Sequence, residues 1–330
     1  MLYQWQFQPY RRRFKQALQT SYGCWTLREG MIVQLVNEAG AIGWGEIAPI
    51  PWFGSETLEQ AVAFCHQLPS ELSNDLIFSI PDAFPSCQFA FESAWEEVKH
   101  PHQHSTSELY PTPHSVLLPT GEAALTAWKP LWEKGFRTFK WKIGVQTIAT
   151  ELELLHTLAR CLPAATKLRL DANGGLSLDD AARWLETCDA IVDDPSLPVT
   201  LEYFEQPLAV SQFQAMQNLS HCYRTPIALD ESVATLQQLQ VCYENGWRGI
   251  IVIKPAIVGS PFQLRQFCQA RPIDAVFSSA FETVIGRQAG LRLATALGNL
   301  DRAMGYGTNH WFEETESSDF QPLWQTPFSG

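Results

Sequence analysis

This 330-residue sequence lacks several features that mark common classes of protein. Its eight cysteines form no C-x-x-C pair, which argues against a zinc ribbon and against a dithiol redox site. No apolar run approaches the length of a bilayer-spanning helix, and residues 1–7 lack the cationic and apolar segments of a secretory signal. We therefore expect a cytoplasmic protein that does not insert into membranes and whose cysteines are reduced and mostly buried.

Positive charge is also scarce. Lys and Arg total 23 against 35 Asp and Glu, which gives a formal net charge of -12. A surface with this excess of negative charge repels phosphate groups, so nucleic acids and anionic membranes are unsuitable partners. The sequence favours a small-molecule partner, and it leaves open whether the protein is a monomer or a homo-oligomer.

Apolar and polar residues alternate near the N-terminus, as they do in antiparallel strands. The alternation predicts strands at residues 3–7, 31–35 and 42–47. The intervening segment around Ser21–Gly23 has the composition of a mobile loop. Helices are predicted to begin at Ser55–Thr57 and at Ser86, so this part of the chain forms an α+β unit. A polar stretch over residues 100–108 predicts the end of that unit.

Beyond residue 108, predicted strands and helices alternate, and five strands end in a charged residue. These residues lie 24 to 34 positions apart, and they are Lys142, Asp171, Glu205, Asp230 and Lys254. Each interval has room for one strand-loop-helix unit, and six or seven such units close a parallel barrel. The alternative is an open, doubly wound sheet, but no glycine-rich phosphate motif follows a strand in this sequence. In a barrel the five charges would meet at the carboxyl ends of the strands.

The order of residues within each strand supports this convergence. Lys140 and Lys142 fall on one face of their strand, and Phe139, Trp141 and Ile143 fall on the other. Side chains two positions apart also share a face in the Asp171, Glu205 and Lys254 strands. One acid alone more often caps a helix or pairs with an arginine, so it is the three acids in register that indicate a shared site.

Three carboxylates that meet in a barrel mouth repel one another and call for a divalent cation. Oxygen ligands suit Mg²⁺ better than Zn²⁺, with Mn²⁺ as a substitute. A lysine beside a second lysine and a cation becomes a usable base, and we assign that role to Lys142. Mg²⁺ also stabilises the negative charge that develops when a proton leaves the carbon next to a carboxylate. The sequence therefore predicts proton abstraction from a small carboxylate substrate.

Five motifs in order along the chain resemble those of the enolase superfamily, in its muconate-lactonizing subgroup. They are Lys140-x-Lys142, Asp171-Ala-Asn173, Phe204-Glu205-Gln-Pro207, Asp230-Glu-Ser232 and Lys254-Pro255. The resemblance implies an α/β fold, a modified TIM barrel of (β/α)7β topology with an α+β N-terminal capping domain that the C-terminal tail completes. The implied boundaries are residues 1–108 for the capping domain, 109–310 for the barrel and 311–330 for the tail.

Four further segments resemble the o-succinylbenzoate synthase family within that superfamily. They are Arg28–Gly30, Gly43–Pro51, Phe89–Ala94 and Ser278–Glu282. The implied reaction is the Mg²⁺-dependent syn dehydration of 2-succinyl-6-hydroxy-2,4-cyclohexadiene-1-carboxylate to o-succinylbenzoate, a step of menaquinone or phylloquinone biosynthesis.

The resemblance also implies a role for each matching residue. Lys142 removes the α-proton and then assists the departure of hydroxide from the same face. Lys254 lies on the opposite face, where its charge stabilises the planar intermediate. The implied Mg²⁺ ligands are Asp171, Glu205 and Asp230. The residues implied to orient other groups or to contact the substrate are Lys140, Asn173, Ser278 and Ser279. Glu231 and Glu282 are expected to support either the ligands or the fold.

Other activities remain open at the level of sequence. An N-succinylamino acid racemase shares every catalytic motif, and two opposed lysines suit two-base racemisation. A dipeptide epimerase is less consistent, because residues 303–310 lack the Asp-x-Asp that such enzymes use. A Schiff-base aldolase would not need three carboxylates at strand ends. A non-catalytic binding module would tolerate the loss of Lys142 and of the metal.

Overall fold

The computed structural model describes residues 1–20, 23–100, 113–308 and 311–313. The N-terminal part contains four strands and three helices. They are β1 (Leu2–Thr20), β2 (Gly23–Asn37), β3 (Ile42–Ile47), α1 (Leu58–Gln67), β4 (Glu71–Ser73), α2 (Asn74–Phe78) and α3 (Pro85–Lys99). The strands form one antiparallel sheet in the order β3-β2-β1-β4. This arrangement is the predicted α+β capping domain.

The hairpin of β1 and β2 is much longer than the sequence indicates. The two strands pair from Tyr3 with Asn37 to Thr20 with Gly23, with an irregularity between Arg13 and Leu18. The predicted strands were therefore too short. Of the loop predicted around Ser21–Gly23, Gly23 begins β2, and residues 21 and 22 lie outside the described residues. Arginines interrupt the apolar pattern in this part of β1, so the pattern alone does not show that the hairpin continues towards the barrel.

Close packing of α3 on β3 explains two glycines of the capping domain. A Cβ atom at Gly43 would lie 2.0 Å from the carbonyl oxygen of Ala94, and one at Gly45 would lie 1.9 Å from that of Ala90. Only glycine permits such contact between a strand and a helix backbone. The helix itself begins at Pro85, one residue before the predicted Ser86.

The second part of the chain alternates strands and helices. Its elements are β5 (His114–Leu118), α4 (Ala124–Glu133), β6 (Thr138–Lys142), α5 (Ile148–Cys161), β7 (Lys167–Asp171), α6 (Leu178–Asp193), β8 (Thr200–Glu205), α7 (Phe213–Cys222), β9 (Ile227–Leu229), α8 (Leu236–Glu244), β10 (Ile250–Ile253), α9 (Pro255–Val258), α10 (Pro261–Ala270), β11 (Asp274–Phe277), α11 (Val284–Leu297) and β12 (Met304–Gly307). Short 3₁₀ helices lie at Pro51–Phe53, Gly121–Ala123, Val210–Gln212 and Glu231–Val233.

These eight strands form a parallel sheet in the order β11-β10-β9-β8-β7-β6-β5-β12. A parallel bridge between Ser278 and Gly305 connects the two ends of the sheet. The amide of Ser279 also donates to the carbonyl oxygen of Gly305 at 3.0 Å. The sheet therefore closes into a barrel, and the predicted modified TIM barrel with its α+β capping domain is confirmed.

A buried arginine, Arg169, connects several strands of the barrel. The guanidinium of Arg169 donates to Glu202 at 2.6 Å, to Ser115 at 3.2 Å and to the carbonyl oxygen of Ala303 at 2.7 Å. It also lies 4.8 Å from the centre of the Tyr203 ring. Because the buried cation has both a carboxylate and neutral acceptors, the interior tolerates its charge.

The start of the predicted tail contacts the capping domain. Phe312 forms an antiparallel bridge with Phe14, and the amide of Glu313 donates to the carbonyl oxygen of Arg13 at 3.1 Å. Residues 314–330 and the predicted boundary at residue 108 lie outside the described residues, so the domain limits stay predictions.

The structure also bears on the burial of the cysteines and on the length of the helices. All eight cysteines are free, but only Cys65, Cys87, Cys188 and Cys242 are fully buried, so the prediction that most are buried was wrong. Within the described part of the chain, no helix is long and apolar enough to cross a membrane.

Candidate active site

Five charged residues meet where successive barrel strands end. Lys142 ends β6, Asp171 ends β7 and Glu205 ends β8, and these three lie side by side in register. Asp230 follows β9 and Lys254 follows β10. Since β6 and β10 are four positions apart in an eight-stranded barrel, the two lysines approach the same cavity from opposite sides.

The carboxylates of Asp171 and Glu205 share the ammonium group of Lys140. The Nζ atom of Lys140 lies 2.8 Å from Oδ2 of Asp171 and 2.6 Å from Oε1 of Glu205. Burial opposes the charge on Lys140, but Asp171 and Glu205 outweigh it and hold the pKa of this lysine well above its usual value. Lys140 thus balances part of the negative charge of the site.

The same cluster shifts the two acids in opposite directions. Burial alone would raise the pKa of Asp171, but Lys140 and Lys142 lower it below its usual value. Burial raises the pKa of Glu205, and the neighbouring Asp171 and Asp230 raise it further, although Lys140 opposes them. A site with this much concentrated negative charge favours the binding of a cation.

The two lysines that face each other have different surroundings. The ammonium of Lys254 donates a very short hydrogen bond to Asp230 and lies 4.2 Å from the centre of the Phe53 ring. Lys142 lines the cavity and, within the described ranges of the chain, forms neither a hydrogen bond nor an ion pair. Lys142 is therefore the lysine whose amine is available to a substrate.

Asn173 and Glu231 lie beside the acids and support them. The backbone amide of Asn173 donates to Asp171 at 3.0 Å, and its side-chain amide donates to Glu231 at 3.1 Å. Asn173 has a left-handed backbone with φ of 44°, a conformation that asparagine tolerates better than most residues. Burial raises the pKa of Glu231 to about 7, with Asp230 and Asp171 as further causes.

Ser278 and Ser279 line the cavity between β11 and β12. The hydroxyl of Ser279 accepts from the amide of Phe281 at 2.9 Å and lies 3.2 Å from the hydroxyl of Thr308. A Cβ atom at Gly305 would lie only 2.4 Å from the hydroxyl oxygen of Ser278. All nine residues that the sequence predicts for the site line this cavity or contact residues that do.

Sequence reasoning missed an aromatic wall that the capping domain contributes. Trp25 and Trp52 pack edge to face with ring centres 5.0 Å apart, and Phe281 of the barrel packs on Trp25 at 5.6 Å. These rings and Phe53 line the cavity. The Pro and Gly residues that flank Trp52 and Phe53 mark a turn, but no local pattern shows that the turn faces the barrel.

The donor chemistry fits a hard divalent cation. Asp171, Glu205 and Asp230 provide carboxylate oxygens from three adjacent strands, and Oε2 of Glu205 is buried without a hydrogen-bond partner among the described residues. As the side chains stand, no three His, Cys, Asp or Glu residues in the described ranges are close enough to hold a metal ion. Lys140 lies between two of the acids, so the present arrangement is that of lysine-carboxylate pairs.

Comparison with known families identifies both parts of the chain. Residues 123–323 match the family model described as Enolase C-terminal domain-like. Residues 14–98 match the model described as MenC, N-terminal domain. The first match includes the strands from β6 to β12, and the second includes most of the N-terminal sheet and its helices.

Similarity to individual proteins extends over almost the whole chain. The o-succinylbenzoate synthase of Thermosynechococcus vestitus is 38% identical over 327 residues, which cover 97% of this chain and 98% of that protein. The L-Ala-D/L-Glu epimerase of Bacillus subtilis is 24% identical over 316 residues, which cover 89% of this chain and 84% of that protein. The sequence is therefore more similar to the synthase than to the epimerase.

Solved structures show the same ranking of similarity. The o-succinylbenzoate synthase from Thermosynechococcus elongatus, complexed with Mg in its active site, has a TM-score of 0.88 and 37% identity, and the match covers 98% of this chain and 99% of that chain. The N-succinyl Arg/Lys racemase from Bacillus cereus has a TM-score of 0.77 at 16% identity, with 96% and 89% covered, so it shares the fold alone. The chain belongs to the enolase superfamily and, within it, to the o-succinylbenzoate synthase family.

Proposed function

We propose that the protein dehydrates 2-succinyl-6-hydroxy-2,4-cyclohexadiene-1-carboxylate to o-succinylbenzoate with the aid of Mg²⁺. The observation that carries this proposal is the placement of Lys142 opposite Lys254, with three carboxylates on the strands between them. Family membership supports the same reaction. The product would serve menaquinone or phylloquinone biosynthesis.

Lys142 acts first as the base and then as the acid. Its amine, which has no partner within the described ranges, accepts the proton from C1 of the substrate, next to the carboxylate. The carbon-oxygen bond at C6 then breaks, a carbon-carbon double bond forms, and the ammonium of Lys142 returns the proton to the departing hydroxide. Water leaves, and the ring becomes aromatic. One lysine performs both transfers because both groups leave from the same face.

Lys254 stabilises the opposite face of the ring. Its hydrogen bond to Asp230 and its contact with the Phe53 ring hold the side chain in one position. A cation held over the face of a planar, electron-rich ring lowers its energy by cation-π attraction. Lys254 need not transfer a proton in this reaction.

Asp171, Glu205 and Asp230 would hold the Mg²⁺, and Lys140 and Asn173 would keep them in place. When bound, the ion supplies positive charge next to the substrate carboxylate as negative charge develops on it. We propose that Ser278 and Ser279 contact the polar end of the substrate. The aromatic wall excludes water from the reacting ring.

The direct test is to follow the loss of cyclohexadiene absorbance when purified protein is mixed with the substrate and Mg²⁺. We expect rapid loss with formation of o-succinylbenzoate, and we expect EDTA to abolish it and excess Mg²⁺ to restore it. No turnover by folded, Mg²⁺-loaded protein would contradict the proposal.

The facing lysines also fit a second activity, the racemisation of N-succinylamino acids. In that reaction Lys142 and Lys254 would exchange the α-proton from opposite faces. Proton exchange of an N-succinylamino acid in D₂O distinguishes this activity from the dehydration. The substrate of either activity is a small carboxylate, and we propose that the enzyme acts in the cytoplasm without binding nucleic acid.

A further inference from the structure

A fully buried carboxylate, Glu46, connects the capping domain to the barrel. It lies near the end of β3 and is 0% exposed. From the barrel it accepts hydrogen bonds from the amide of Thr283 at 2.9 Å, the hydroxyl of Thr283 at 2.5 Å and the amide of Gly286 at 2.9 Å. From the capping domain it accepts a very short hydrogen bond from the hydroxyl of Tyr10. Glu46 therefore caps the start of α11 from another domain.

Two glycines make room for this connection. A Cβ atom at Gly286 would lie 2.8 Å from Oε2 of Glu46, and one at Gly30 would lie 2.6 Å from the hydroxyl oxygen of Tyr10. Burial and the nearby Glu46 raise the pKa of Tyr10 well above its usual value, so the hydroxyl keeps its proton and donates it. Because a Cβ atom at either glycine would collide with Glu46 or Tyr10, this connection depends on glycine at both positions.

The segment that Glu46 anchors lines the active-site cavity. Thr283 directly follows Ser278–Glu282, which contributes Ser278, Ser279, Ala280 and Phe281 to the cavity. The other end of this segment is held by the hydrogen bond from the amide of Ser279 to the carbonyl oxygen of Gly305. Between the two anchors, the carboxylate of Glu282 accepts from the amide of Ala280 at 2.6 Å.

The anchored segment holds one residue in an unfavourable conformation. Phe281 has φ of 59°, a left-handed backbone that a bulky side chain rarely adopts. Such strain persists only where the surroundings fix the backbone. In return, the Phe281 ring packs on Trp25 at 5.6 Å and on Phe14 at 5.4 Å. Releasing the Glu46 anchor would allow Phe281 to relax and leave the aromatic wall.

We infer that Glu46 is a positioning residue for the reaction: it holds the strained Ser278–Glu282 segment so that this segment shapes the substrate side of the cavity. The inference rests on the function proposed above. Glu46 is not one of the two lysines or three acids that are proposed to carry out the reaction. Its loss therefore affects substrate binding more than the chemical step.

The test compares Glu46→Gln with Glu56→Gln. Glu56 is a matched control because it is also a buried carboxylate that accepts from two helix-start amides, those of Ser86 and Cys87, but entirely within the capping domain. For Glu46→Gln we expect KM for the cyclohexadiene substrate to rise about tenfold while kcat changes by less than about threefold. Glu56→Gln should lower thermal stability without raising KM.

Hydrogen exchange provides a readout that does not depend on activity. In Glu46→Gln, amides of residues 278–283 should exchange about tenfold faster, and in Glu56→Gln they should exchange at the wild-type rate. Unchanged exchange in this segment overturns the inference, as does an equal rise of KM in both variants. If the wild type shows no turnover, the proposed function fails, and the exchange result alone decides the role of Glu46.

A second variant covers the case in which Glu46→Gln does not fold. Gly286→Ala keeps the charge but places a methyl group 2.8 Å from Oε2 of Glu46 and 3.0 Å from Cβ and Cγ of Glu282, which separates the start of α11 from the Glu46 carboxylate. We expect the same rise of KM and the same faster exchange. Wild-type values of both quantities in this variant would contradict the role of Glu46.

Discussion

The ammonium of Lys254 lies 4.2 Å from the centre of the Phe53 ring. Lys254 follows a barrel strand, whereas Phe53 lies in a 3₁₀ helix of the capping domain. The contact therefore crosses the boundary between the two parts of the protein, and it is made by a proposed functional lysine that also pairs with Asp230. It links the position of the capping domain to the chemistry in the barrel.

This contact predicts that the ring of Phe53 affects catalysis. Phe53→Leu removes the ring but keeps an apolar side chain, so we expect kcat/KM to fall about fivefold, as loss of a cation-π contact worth about 1 kcal/mol would cause. Phe53→Tyr keeps the ring and should stay within about twofold of wild type. Equal kinetics for the leucine and tyrosine variants would contradict a role for the ring.

Lys142→Met should abolish turnover. The proposed base and acid are the same amine, so we expect kcat to fall by at least about 10³-fold, and Lys142→Arg should not rescue it because a guanidinium stays protonated. Absorbance of the cyclohexadiene provides the assay. Lys134→Met, at an exposed position after α4, is the control and should behave as wild type. Activity of the Met variant near that of wild type would exclude Lys142 as the base.

Glu205→Gln should weaken Mg²⁺ binding. The amide keeps one oxygen but removes a charge from a carboxylate whose Oε2 has no hydrogen-bond partner among the described residues. We expect the affinity, measured by titration calorimetry, to fall by at least about tenfold. Glu153→Gln, on the exposed face of α5, should leave the affinity unchanged. An unaltered affinity in Glu205→Gln would show that this residue is not a ligand.

Arg169→Met should destabilise the barrel. The substitution leaves Glu202 as a buried charge without its main partner, which typically costs about 3–5 kcal/mol. Lys167→Met removes a half-exposed lysine 3.6 Å from the same carboxylate and should cost less than about 1 kcal/mol. Urea unfolding measures both values. Similar losses in the two variants would show that burial does not govern this network.

The pH dependence of stability should carry a contribution from Glu92. This residue of α3 accepts from the amide of Phe262 at the start of α10, and burial raises the pKa of Glu92 to about 7. Between about pH 4.5 and 7 the folded state therefore binds more protons than the unfolded state, so this contribution to stability falls as pH rises, by at most about 1.4 kcal/mol per pH unit.

Glu92→Gln tests this contribution because it removes the titration but keeps an acceptor for the amide of Phe262. We expect the variant to gain stability relative to wild type between pH 5 and pH 8, as measured by urea unfolding at both values. The same difference in unfolding free energy at pH 5 and at pH 8 would rule out the contribution.

Much of the site was predictable because the sequence patterns that indicate it involve residues close together in the chain. Alternation of side chains within a strand places Lys140 and Lys142 on one face, and regular spacing of strand ends places Asp171, Glu205 and Asp230 at one end of a barrel. Capping residues fix helix starts in the same way: Thr57 accepts from the amide of Gln60, as its position in the sequence predicts. These features need no knowledge of distant contacts.

Other features arise only when distant segments meet. Nothing in their local sequence marks Trp25 and Phe53 as site residues; they line the cavity only because the capping domain packs on the barrel. The length of β1 and β2 and the capping of α11 by Glu46 likewise depend on partners that lie elsewhere in the chain.

The sequence by itself determined the barrel, the identity of its charged residues and their order around the ring, because strand alternation and unit spacing are properties of neighbouring residues. Tertiary structure decided which lysine of the site has no partner among the described residues, which acids share Lys140, and which aromatic rings form the cavity wall. Those outcomes depend on distances between residues that are far apart in the sequence, such as Lys140 and Glu205 at 65 positions, and only the folded chain sets such distances.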